Sequence, residues 1–319
     1  MTEMASPLDA YGRALVELGR ENENIVVLDA DLAPATKVDY FAEAIPERFF
    51  QVGVAEQNMI GMAAGLATIG LIPFTSTFAC FATTRVLDQI RVVVAQPRLN
   101  VKIVGAFLGL IPGKVGKTHQ AIEDIAVIRA LPNMVVISPV DANETRAALR
   151  AIIEYHGPVY MRVPRELAPN FMPSGSFIIG KSTLLCEGRD ITVISTGMMT
   201  GHALLAAQTL ADEGISVHLL HVPTLKPIDT DAIVSAAART GLVLTAEDHN
   251  IIGGLGSAVC ETLSERHPTP VRRLGMMDTF GETGGNEELM EKYGLMPRHI
   301  VAAAKEMLNR PRQTLAAQR

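Results

Sequence analysis

Short runs of β-branched and aliphatic residues recur along this chain, separated by stretches of helical length, and that alternation limits its fold more than any other feature of its 319 residues. Ile25–Leu28, Leu71–Phe74, Val101–Val104, Val135–Ile137 and Val159–Met161 form one set, and Ile191–Ile194, Val217–Leu220, Leu242–Leu244 and Val271–Arg273 form a second. Strands that alternate with helices can pair in parallel, because each helix returns the chain to the same end of the sheet. The pattern predicts an α/β protein of two domains, each a mainly parallel sheet flanked by helices. Between the sets, Pro164 to Ser176 is punctuated by Pro169, Pro173 and Gly175, the composition of a linker. It places the boundary near residue 175, giving domains 1–175 and 176–319. The segment from Asn309 onward reads as a loose tail after a helix over Ala302–Leu308.

Composition narrows the function classes. Hydrophobic residues make up 48% of the chain and charged ones 19%, enough apolar material for two cores. A net charge of -6 gives no electrostatic reason to expect nucleic acid or an anionic membrane as partner, so small-molecule chemistry is the expectation. Cys80, Cys186 and Cys260 are odd in number, far apart and without zinc-site spacing, as suits inert thiols in a reducing compartment. Met1–Ser6 lacks the basic start and apolar run of a secretion signal. Together these predict a cytoplasmic protein.

No charged residue occurs between Glu56 and Arg85. That stretch is long enough to span a bilayer, but Pro73 and Thr75-Ser-Thr77 interrupt it. It reads instead as a buried helix, a short strand and a second buried helix, covered in part by another subunit. Glu56 opens the first helix, in which Gly61 and Gly65 permit close backbone approach. A carboxylate at a helix start either serves the macrodipole or does chemistry.

Two glycine-rich motifs lead elsewhere. Gly253-Gly-Leu-Gly256 has Val259 where a dinucleotide fingerprint needs its third glycine, so a tight strand-to-helix turn accounts for it better. Gly116-Lys117-Thr118 ends like a phosphate loop, but Ile111 stands where the first glycine is required, which excludes nucleotide hydrolysis. His119 follows this flexible loop and is expected to begin a helix over Gln120–Leu131. A helix N-terminus favours a neutral imidazole and nearby anions, and structural and functional roles for His119 are both open on that ground.

Taken together, Asp29-Ala-Asp-Leu-Ala-Pro34, Gly53-Val-Ala-Glu-Gln-Asn-Met59, Phe74-Thr-Ser-Thr-Phe78 and Thr118-His-Gln120 resemble the transketolase family in order and spacing. Glu247-Asp-His followed by Gly253–Val259 is similar to that family's C-terminal domain, so the resemblance covers nearly the whole chain. The Gly-Asp-Gly segment and later Asn of the family's diphosphate-binding domain have no counterpart. The resemblance therefore implies a subunit of a split transketolase, dependent on thiamine diphosphate and inactive alone. An N-terminal partner subunit would hold the diphosphate and a divalent metal such as Mg in an α2β2 assembly, and the substrates would be sugars exchanging a two-carbon ketol unit.

The resemblance also implies site residues. Glu56 would hydrogen-bond N1′ of the aminopyrimidine and stabilise the tautomer that takes the thiazolium proton, a task suited to a carboxyl in uncharged surroundings. Phe78 would stack on the pyrimidine, Phe81 would pack at its edge, Asp31 would lie near the thiazolium, and Thr84 stands where a tyrosine usually adjoins the cofactor. His119 would hydrogen-bond donor-sugar oxygens. Arg162 matches the arginine that binds substrate phosphate, or is a strand-end surface arginine. Leu8, Ala35, Phe107 and Val115 replace further phosphate and hydroxyl ligands of the family. Either the substrate's far end is uncharged or unusual, or Lys114 and Lys117 hold an anion as point charges. The competing readings are the beta subunit of a 2-oxo acid dehydrogenase and a non-catalytic regulatory subunit of the same fold.

Overall fold

A computed structural model of the chain describes residues 4–175 and 177–309, so the tail beyond Asn309 lies outside the described residues. The chain begins with β1 (Met4–Ala5), followed by a helix over Pro7–Glu21. Ser6 caps that helix by accepting from the Asp9 N–H, with Pro7 at its first position, which satisfies one unpaired amide and removes another. The strands that follow are β2 (Ile25–Asp29), β3 (Phe49–Gln51), β4 (Ile72–Phe78), β5 (Lys102–Ala106), β6 (Val135–Ile137), β7 (Val159–Val163) and β8 (Ala168–Pro169). The second half contributes β9 (Thr183–Cys186), β10 (Ile191–Ser195), β11 (Val217–His221), β12 (Thr224–Lys226), β13 (Val243–Asn250) and β14 (Val271–Met276).

Besides a two-stranded antiparallel ribbon of β1 and β8, two larger sheets result, ordered β12-β6-β7-β5-β4-β2-β3 and β14-β13-β10-β11-β9. Within them β12 and β9 pair antiparallel and the other pairings are parallel. Strands β2, β4, β5 and β7 are buried throughout, as parallel strands covered by helices on both faces must be. On β2 alternate residues serve opposite faces: Val26 and Leu28 join one core, Ile25 and Val27 the other. The short apolar runs of the sequence mark most of these strands but underestimate several, because polar residues such as Ser76, Thr77 and Glu247 continue them in full burial.

The halves are less separate than their sequence suggests. Strand β12 lies beyond residue 175 yet hydrogen-bonds to β6 in the first sheet, with Thr224 opposite Ile137. One continuous core runs from Met59, Ile60 and Ala63 to Ile194, Leu220, Ile233, Leu255 and Val259 of the second half. Leu110, Ile111 and Ile122 of the first half belong to the core of the second sheet.

The loop Gly109–His119, predicted to be flexible, is docked against the second half. The Gly109 N–H donates to Ala121, and the Leu110 N–H to the Asp248 carboxylate at 2.9 Å. A Cβ at Gly109, which sits at φ +53°, would collide with that carboxylate. Gly113 meets Gly284 and Asn286, its N–H donating to Asn286 Oδ1 at 3.0 Å and its carbonyl accepting from the Gly284 N–H. These glycines serve close approach between the two halves. The helix predicted over Gln120–Leu131 is confined to Asp124–Arg129, because Gln120 instead donates to the carbonyls of Leu110 and Glu282. His119 therefore sits in a turn ahead of the helix.

Candidate active site

The registers of the first sheet align the carboxyl ends of its central strands. Asp29 of β2 lies opposite Ser76 of β4, Phe78 of β4 opposite Ala106 of β5, and Ala106 opposite Val163 of β7. Residues just past these ends share one rim, where open parallel sheets place their ligands. Asp31 follows β2, Phe81 and Arg85 follow β4, Phe107 follows β5 and Arg165 follows β7.

An aromatic cluster occupies the rim. The Phe78 ring lies 4.1 Å from Phe107, 5.9 Å from Phe81 and 6.0 Å from His119, centroid to centroid, and His119 meets Phe81 edge-on at 5.1 Å. Phe78 ends β4 and Phe81 lies in the short helix Ala79–Thr83, so a strand-to-helix turn presents the pair. Phe107 adopts a left-handed backbone, φ +60°, a conformation uncommon away from glycine, and its ring closes the cluster. Two guanidinium groups stand over it, Arg85 3.9 Å from the Phe81 centroid and Arg165 4.7 Å from that of Phe107, within the range of cation–π attraction. His119 Nδ1 shares a 2.9 Å hydrogen bond with Thr118 Oγ1.

Glu56 begins the helix Glu56–Thr68 and is 3% exposed. Its surroundings differ from the uncharged ones predicted: Oε1 accepts from Arg85 Nη1 at 2.7 Å. Gln57 Nε2 donates to the Arg85 carbonyl at 3.2 Å. Glu56, Arg85 and Phe81 thus form one unit, joined through Phe78 to Phe107 and His119.

The other predicted residues divide. Asp31 is exposed at φ +62°, its N–H donating to Gln51 Oε1 at 2.8 Å while Gln51 Nε2 donates to Asp29 Oδ2 at 2.6 Å. Asp29, which sequence reasoning passed over, is fully buried, and burial raises its pKa. Thr84 turns its hydroxyl to the Cys80 carbonyl at 2.7 Å and makes no described contact with the rings. Lys114 and Lys117 are exposed on the docked loop.

Arg162 is neither a surface arginine nor open to a phosphate. It is 2% exposed, with Nε donating to Asp124 Oδ2 at 2.8 Å and Nη2 to the Asp248 carbonyl at 3.2 Å. The Tyr160 hydroxyl donates to the same Asp124 oxygen at 2.6 Å. Its sequence position gave no sign of this, since Asp124 is 38 residues away.

Around that pair the second half contributes Glu247, Asp248 and His249. Desolvation pushes Glu247 up to about 7 and Asp248 up to about 6, and pushes His249 down to about 4. His249 is bonded as a neutral ring, Nδ1 donating to the Asn250 carbonyl at 2.6 Å and Nε2 accepting from the Ala126 N–H at 3.3 Å. Glu247 accepts from the N–H groups of Leu255 and Gly256 at 2.7 and 2.8 Å, at the start of the helix Leu255–Arg266. The glycine-rich Gly253–Gly256 turn thus receives a side chain of its own protein; a Cβ at Gly254 would collide with Glu247.

Comparison with known proteins agrees with this architecture. Residues 4–170 match the transketolase pyrimidine-binding domain and residues 180–300 the transketolase C-terminal domain. The chain is 46% identical to the 6-deoxy-6-sulfo-D-fructose transketolase subunit of Clostridium sp. strain MSTE9, over 95% of this chain and 94% of that one. It is 38% identical to one of the subunits of the apulose-4-phosphate transketolase of Phocaeicola vulgatus, over 94% and 97%. A solved structure described as a split gene transketolase, inactive beta4 tetramer, superimposes with a TM-score of 0.88 at 48% identity, covering 96% of this chain and 99% of that one. No helix among the described residues is long and apolar enough to cross a membrane. A pyrimidine-binding domain joined to a C-terminal domain, in a chain of the length of such subunits, makes this protein a member of the transketolase family.

Proposed function

We propose that this chain is the pyrimidine-binding and C-terminal subunit of a split, thiamine-diphosphate-dependent transketolase that moves a two-carbon ketol unit from a ketose to an aldose, and that it works only with an N-terminal partner subunit. The observation that carries this reading is the unit of Glu56, Arg85 and Phe81. A buried carboxylate and an aromatic face enclose a flat, N–H-bearing guanidinium, a group with the planarity and hydrogen-bonding of an aminopyrimidine, so the residues present fit the cofactor's ring. The bound cofactor would supply the thiazolium carbon that carries the ketol unit. Glu56 would hold a proton at N1′ of the ring, Phe78 and Phe81 would pack the ring, and Asp31 would lie on the thiazolium side. His119, whose Nδ1 is taken up by Thr118, would present Nε2 to the donor sugar's oxygens. Thr84 would line the same pocket from the end of the short helix.

The partner subunit would supply the diphosphate site and its divalent metal in an α2β2 assembly. Its docking surface on this chain is the outer face of the helix Glu56–Thr68 and its neighbours, where Val54, Gly61, Met62, Gly65, Ile69, Val92 and Val93 are exposed. Uncharged residues without cover on one face favour association.

The substrate's far end is best read as anionic and non-standard. Arg162 is committed to Asp124, whereas Arg165 lies over Phe107 without a described carboxylate partner and Lys114 and Lys117 are exposed. These three would receive a phosphate or sulfonate. Co-expression with the partner subunit, followed by a screen of phosphorylated, sulfonated and neutral ketoses, tests the proposal. Ketol transfer to an aldose supports it; reduction of lipoyl groups by the same complex, or no turnover with any ketose, overturns it.

A further inference from the structure

Arg85 is joined to Glu56 in a way that the proposed chemistry does not need. Its guanidinium is held by stacking on Phe81, 3.9 Å from the ring centroid, and by a 2.7 Å charge-assisted hydrogen bond to Glu56. A flat cofactor ring that stacked at this aromatic face and hydrogen-bonded the same carboxylate would need the layer that the guanidinium fills. The two groups compete for one position.

Resting on the reading above, we propose that Arg85 is a placeholder for the aminopyrimidine: it satisfies Glu56 in the unloaded subunit, must withdraw when the ring enters, and so sets cofactor affinity. The asymmetry of the pair says which member moves. Glu56 is 3% exposed and fixed at a helix start, while the Arg85 side chain is 40% exposed. Arginine can return its head to water at small cost, but the carboxylate cannot follow it, and a buried carboxylate left unpaired is strongly unfavourable. Without a placeholder, the unloaded chain would keep an uncompensated charge. Withdrawal leaves the carboxyl facing the ring without a countercharge. Cofactor entry is therefore coupled to solvation of Arg85.

The test is calorimetric titration of thiamine diphosphate and Mg into the assembled complex. Arg85→Gln removes the cationic competitor and is expected to bind the cofactor roughly five- to thirty-fold tighter, the scale of one half-exposed ion pair and one cation–π contact. Arg85→Lys keeps the charge without the planar fork and should fall between the two. Equal or weaker binding by Arg85→Gln, in a complex that assembles and melts like the parent, overturns the placeholder role. Failure of the parent complex to bind thiamine diphosphate overturns the functional reading itself, and the placeholder with it.

Discussion

Glu56 and Arg85, the two charges that bound the chain's long uncharged stretch, are each other's partner across 29 residues, Arg85 Nη1 lying 2.7 Å from Glu56 Oε1. The helix Glu56–Thr68, strand β4 and the short helix Ala79–Thr83 form a closed excursion that returns Arg85 to its starting point. The uncharged residues between them fill the core and the exposed helix face, and the charge at each end is held at the rim.

Replacing Glu56 with Gln in the assembled complex keeps side-chain volume and removes the ionisable carboxyl. Turnover is expected to fall by at least about a hundredfold, the usual contribution of a positioned acid or base, while assembly with the partner is retained. Steady-state kinetics together with size-exclusion chromatography check this; turnover within a few-fold of the parent would show that Glu56 is structural.

Arg165→Gln is expected to raise KM for an anionic ketose about tenfold with kcat within about twofold, the pattern for loss of binding felt equally in ground and transition states. KM for a neutral ketose should stay where it is. A kcat loss without a KM change would place Arg165 outside the substrate's path.

The buried pair of Arg162 and Asp124 should dominate mutational stability. Asp124→Ala strands a guanidinium that is 2% exposed and is expected to cost on the order of 3–5 kcal/mol. Arg150→Ala, which breaks an exposed pair with Glu21, should cost under about 1 kcal/mol. Urea unfolding of both variants gives the comparison, and equal midpoints would contradict the burial argument.

His249 makes stability depend on pH. Desolvation holds its pKa down at about 4, against an ordinary 6.5, with Asp124, Glu247 and Arg162 around it. Below pH 6.5 the unfolded chain takes up a proton that the native ring refuses until about pH 4. The stability from the neutral ring is fully present above pH 6.5 and is lost as pH falls to 4, on the order of 3 kcal/mol in all. Glu247 and Asp248, whose values are raised, act in the opposite direction, so the parent's curve alone is ambiguous. The difference between the parent and His249→Gln isolates the ring: the parent should lose ground to the variant from pH 6.5 downward. A pH-independent difference would count against a neutral buried imidazole.

The sequence by itself determined the α/β layering, since apolar runs of strand length alternating with helical segments can bury both faces of a sheet in few other ways. Glu56 and His119 stood out locally, as the start of a helix and the residue after a glycine loop, while Phe78 and Phe81 were named only through the family resemblance. The tertiary structure alone decided how charges pair. Arg85 on Glu56, Arg162 on Asp124 and the glycine loop on residues 282–289 join positions far apart in the chain. No periodicity encodes such pairs, because side-chain ion pairs and close backbone approaches depend on which strand ends the folded sheet brings together. For the same reason Arg162, a strand-end arginine in sequence, became an internal tie between the two halves, while Arg165, three residues on, lies over the Phe107 ring.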